Sequence, residues 1–67
     1  MKAVYKDAFI EIRGLSSETK PTGNVTANLP DYRAGTVTRP IEIGDIYFEI
    51  DTGNAYFFDG ITWIKQK

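Results

Sequence analysis

Two short glycine turns set the limits on what this chain can fold into. Asp51-Thr52-Gly53 and Asp59-Gly60 cut its last third into pieces of five or six residues, too short for helices and rich in Ile, Tyr, Phe and Trp. Asp-Gly between two such runs is a strong hairpin signal, because a tight reversal needs positive φ at its centre. Asp-Thr-Gly suits a type I turn closed by a glycine bulge, with Gly53 left-handed. These turns predict strands over 45–50, 54–58 and 61–65.

The two turns also predict a register. A three-residue loop pairs Ile50 with Asn54, hence Phe48 with Tyr56. A two-residue loop pairs Phe58 with Ile61 and Tyr56 with Trp63. Ile46, Phe48, Ile50, Tyr56, Phe58, Ile61 and Trp63 then share one face, and Phe48, Tyr56, Phe58 and Trp63 form its expected aromatic core. The opposite face receives Tyr47, Glu49, Phe57, Thr62 and Ile64. Because it is not cleanly polar, Tyr47, Phe57 and Ile64 are its candidate interface residues. A slip of one residue would invert both assignments.

Upstream, Ala8, Ile10 and Ile12 alternate with Phe9, Glu11 and Arg13, and residues 4–13 read as one strand ended by Gly14. Residues 15–40 carry Pro21, Gly23-Asn24, Pro30, Gly35 and Pro40, a density of turn formers that predicts an irregular arm or loop. Short extended pieces fit at 24–27 and 35–38. The expected whole is one small all-β domain over 1–67. It is an antiparallel sheet made of the N-terminal strand, the long irregular connection and the C-terminal meander over 44–65.

Length and composition narrow the function. At 67 residues the chain has no cysteine and no histidine, so disulfides and the usual zinc or iron–sulfur ligands are unavailable. A domain this small buries only roughly 60% of its unfolded surface, and association is the remaining route to extra stability. Eight basic and nine acidic side chains balance to −1, without the basic stripe of a nucleic-acid module. No apolar run approaches the roughly 20 residues that span a bilayer, and no leader pattern opens the chain. The expectation is a soluble, cytoplasmically synthesised protein without cofactor, metal, nucleic-acid or membrane partner.

Candidate chemistry is sparse. Asp51-Thr52-Gly53 matches the aspartic-protease tripeptide, but a protease half needs a flap and a cleft, and the turn reading is preferred. Glu42, Asp45, Glu49, Asp51 and Asp59 lack the spacing of a calcium loop. Without histidine or cysteine no nucleophilic triad can be assembled. Asn24-Val25-Thr26 fits a glycosylation acceptor only in a secreted chain. Tyr56, Phe58 and Trp63 could stack on a sugar, although aromatics on one sheet face more often form core. The expected protein is not an enzyme.

One longer pattern remains. Thr38-Arg39-Pro40, Gly44, Tyr47, Asp51-Thr52-Gly53, Tyr56 and Asp59-Gly60-Ile61-Thr62-Trp63 resemble a short module of tailed-bacteriophage and prophage virion proteins. The opening Phe9 to Ser16, with Lys20-Pro21, resembles the start of small free-standing phage proteins carrying that module. Asn54 departs from the lysine that often follows the glycine. The resemblance implies a non-enzymatic structural protein of the virion, in the head decoration, head fibre or tail, made in the bacterial host cytoplasm. Its implied partners are copies of itself, as a homo-oligomer, and other virion proteins. The alternative is a small carbohydrate-binding module using exposed aromatics.

Overall fold

At the centre of the sheet lies a hairpin of β1 (Lys2–Tyr5) and β2 (Ile10–Gly14), paired antiparallel with Ala3 opposite Ile12 and Tyr5 opposite Ile10. The computed structural model describes residues 1–30 and 33–66. The single strand expected over 4–13 is interrupted, because the chain reverses between Lys6 and Phe9. There the Lys6 amide donates to the Phe9 carbonyl at 2.8 Å, and Asp7 takes a φ of 66°. Aspartate is among the few residues besides glycine that visit this region, so no glycine or proline announces the turn. Ala8 is exposed at its tip, while Ile10 and Ile12 are fully buried.

Residues 15–40 are not an irregular arm. They contain a second hairpin of β3 (Asn24–Asn28) and β4 (Thr36–Pro40), antiparallel with Thr26 opposite Thr38. Asp31 and Tyr32, in the loop between them, lie outside the described residues. β3 joins the outer side of β1 in parallel. On the other side β5 (Ile46–Glu49) runs parallel to β2, followed by β6 (Ala55–Phe58) and β7 (Trp63–Lys65), each antiparallel to the strand before it. The order is β4-β3-β1-β2-β5-β6-β7. This is an all-β fold, but the sheet is mixed rather than antiparallel, and it curls into a half-barrel with no helix among the described residues.

Curling gives the sheet a concave and a convex side. Ala3, Ile10, Ile12, Ala27, Ile41, Tyr47 and Phe58 form the buried cluster on the concave side. Residues 15–23, leaving β2 for β3, cross that side as a strap. Gly14, at the end of β2, leaves room for the Tyr47 side chain, which a Cβ there would overlap.

The meander exists, but its first turn differs from the expected one. Glu49 and Asn54 close it, with the Glu49 amide donating to the Asn54 carbonyl and the Gly53 amide to the Glu49 carbonyl, both at 2.8 Å. The loop therefore holds 50–53, one residue more than expected, and Tyr47 rather than Phe48 lies opposite Tyr56. That single residue turns β5 over. The second turn moves as well, pairing Phe58 with Trp63. This displacement is even, so Tyr56, Phe58 and Trp63 still share a side. Gly53 and Gly60 have φ of 80° and 103°, values that a side chain would strain.

Candidate functional site: the convex face of the meander

The inversion of β5 decides which side chains meet solvent. Tyr47 and Glu49 now point to the concave side with Tyr56, Phe58 and Trp63. Ile46 and Phe48 point outward with Ala55, Phe57 and Ile64. Phe48, expected in the aromatic core, is 40% exposed, and Tyr47, expected at an interface, is fully buried. Phe57 and Ile64 are outward and exposed at 43% and 44%. Ile46 lies opposite Phe57, and Phe57 opposite Ile64. Cross-strand neighbours stand about 4.5–5.5 Å apart, so these side chains form one continuous apolar patch. Ile50 extends it at 61% exposure.

The strap explains why Tyr47 and Glu49 tolerate the interior. The Tyr47 hydroxyl donates to the Leu15 carbonyl at 3.0 Å, and the Trp63 indole Nε1 donates to the Pro21 carbonyl at 2.9 Å. Lys20 Nζ reaches Glu49 Oε2 at 2.7 Å and sits 4.2 Å from the Tyr56 ring centroid and 4.8 Å from that of Tyr47. Thr52 Oγ1 donates to Glu49 Oε1 at 2.7 Å. The Lys20 and Thr52 hydrogen bonds hold the Glu49 carboxyl below its ordinary range, and burial pushes the Tyr47 hydroxyl above its own. A buried charge is tolerated only with such partners. Among the described residues no buried side-chain nitrogen or oxygen lacks one.

Tyr56 and Trp63, the sugar-stacking candidates, thus turn their rings toward the strap. Trp63 packs edge-on against Phe58 and Tyr47, at centroid distances of 5.1 and 6.0 Å. Asp51, the protease-like aspartate, accepts from the Ser16 amide at 2.9 Å and from the Ser16 hydroxyl at 2.6 Å, which keeps its carboxyl below the usual range. Asp59 accepts from the Ile61 and Thr62 amides, both at 2.8 Å, and closes its own turn. No group of three or more acidic, histidine or cysteine side chains is placed to hold a metal among the described residues.

No protein-family model, curated protein or solved structure matches this chain.

Two ion pairs to buried carboxylates had no counterpart in the sequence reading. One is Lys20 with Glu49, and nothing local marks residues 29 apart as partners. The other is Arg39, of Thr38-Arg39-Pro40, with Asp45, which follows Gly44. Arg39 reaches from the edge strand to a carboxylate at the start of β5. Local turn and strand chemistry predicts neither contact, because each forms only once the strap and the second hairpin are in place.

Proposed function

We propose that this protein is a non-enzymatic structural component of a tailed-phage or prophage virion, in its head decoration, head fibre or tail, and that it works by assembling with copies of itself and with other virion proteins. The observation that carries the assembly part is the outward row Ile46, Phe48, Phe57 and Ile64. A domain this short has few large apolar residues, and here several are spent on the convex face. Contiguous apolar surface of this kind mostly marks an interface, and closed homo-oligomers are the commonest way to cover it. The virion context rests on the resemblance of the Thr38 to Trp63 pattern. The carbohydrate alternative draws no help from Tyr56 and Trp63, whose rings face inward.

The test is the mass of the purified protein in solution, by size-exclusion chromatography with light scattering. The parent is expected to run as an oligomer. Phe57→Glu is expected to run as a monomer with an unchanged far-ultraviolet spectrum, since the residue is already outward. A parent that stays monomeric at high concentration would remove the self-assembly reading.

A further inference from the structure

Beside the apolar rows, the convex side of the central hairpin carries a shallow depression of about 270 Å³ lined by Lys2, Val4, Lys6, Glu11 and Arg13. The register explains the grouping. Lys2 lies opposite Arg13 and Val4 opposite Glu11, so alternate residues of both strands point outward together. Three cations and one carboxylate therefore meet on one patch of a chain whose net charge is −1.

Among the described residues the charge is not balanced from within. Glu11 is taken by Arg13, 3.5 Å away. Every other carboxylate among the described residues has its own partner in the chain: a cation, the N-terminus, a serine or backbone amides. Lys2 and Lys6 are exposed and have no ion pair among the described residues. Among its described residues a second copy has the same paired carboxylates, and these offer the depression little to bind.

We infer that this depression takes carboxylates from a different protein: an acidic segment of a neighbouring assembly component, with the apolar rows next to it left for copies of this chain. The inference extends the assembly reading above and uses a separate surface. Glu11 lies beside Ile46 and Arg13 beside Phe48 in the β2–β5 pairing, so the two surfaces share a border. A bound segment would carry acidic residues over β1 and β2 and could end in apolar ones. Rim charges of this kind set partner choice and encounter rate more than affinity, and salt screens them.

The experiment is fluorescence anisotropy with a short fluorescein-labelled peptide alternating leucine and glutamate, against the same peptide with lysine in place of glutamate. The glutamate peptide is expected to bind, less tightly as salt is raised, and the lysine peptide not to bind. The Lys2→Glu/Lys6→Glu double variant is expected to weaken binding roughly tenfold or more, whereas Lys65→Glu, at the far edge of the sheet, leaves it unchanged. The double variant should keep the parent's mass in solution, so loss of peptide binding is separable from loss of self-assembly. Equal binding by parent and double variant, or no binding at low salt, overturns the inference. So does Lys2- and Lys6-dependent binding of a single-stranded oligonucleotide or of anionic phospholipid vesicles where the peptide fails.

Discussion

Arg39 grips the buried carboxylate of Asp45 with both terminal nitrogens, Nη1 to Oδ2 at 2.8 Å and Nη2 to Oδ1 at 2.7 Å. The same carboxylate accepts the Ile10 amide at 2.9 Å and the Glu42 amide at 2.8 Å. One aspartate thus ties the edge strand β4, the central strand β2 and the entry to β5. Burial alone would raise its pKa, but the Arg39 bonds and the two amides outweigh it and hold the carboxyl below its ordinary range.

Removing the arginine leaves a buried charge with only two amides. Arg39→Met is expected to cost about 3–5 kcal/mol, the usual range for breaking a buried ion pair from one side. That is a large part of the total stability of a small domain. A urea titration checks it. A midpoint within error of the parent would mean that the pair contributes little to closing the half-barrel.

The pH dependence follows from the same groups. Asp45 and Glu49 both have folded pKa values below their unfolded ones, near 3.8 and 4.5. Their stabilisation is complete above about pH 5 and is lost as pH falls through the folded values. Tyr47 has the opposite shift, raised above 10.0 chiefly by burial. Its contribution is present below that value and is lost as pH rises through the folded pKa. With no histidine in the chain, the melting temperature should be nearly flat between the two limbs. Thermal melts across the pH range test this, and Arg39→Met should flatten the acid limb.

Gly14 is buried beneath the Tyr47 ring, and a Cβ there would overlap the Tyr47 hydroxyl and approach its Cζ and Glu18 Oε1 to 3.0 Å. Gly14→Ala should destabilise by about 1–3 kcal/mol, as overpacking does. Tyr47→Phe should lose about 1 kcal/mol with its bond to Leu15. Because the hydroxyl is also the nearest obstacle, Gly14→Ala should cost less in the Tyr47→Phe background. Equal costs in both backgrounds would place the strain elsewhere.

Phe57 and Phe58 are adjacent in sequence and opposite in place. Phe58→Ala should cost about 3–5 kcal/mol, the range for a core aromatic. Phe57→Ala should change the unfolding free energy of the monomeric form by about 0.5 kcal/mol or less, and should act on the mass in solution instead. Denaturation at low protein concentration separates the two. Equal losses would contradict the opposite placement of the two rings.

The strand-and-turn grammar of the last third was determined by sequence alone. Glycines where φ must be positive, and β-branched or aromatic residues between them, require β5, β6 and β7 wherever the rest of the chain goes. The alternation over 8–13 placed Ile10 and Ile12 inside for the same local reason, although Ala8 lies exposed in the turn. The side of β5 that faces the core was decided only by tertiary structure. Loops over 50–53 and 51–53 have similar turn chemistry, but only the longer brings Glu49 to Lys20 and the Tyr47 hydroxyl to Leu15. The apolar count of the two faces favoured the other choice, yet a strap carrying a cation and inward-facing carbonyls makes a tyrosine and a glutamate better core residues here than Phe48 and Ile50. The hairpin within 15–40 and the parallel β1–β3 and β2–β5 pairings were equally illegible. Their hydrogen bonds join segments far apart in the chain, and no local pattern encodes a partner at that distance.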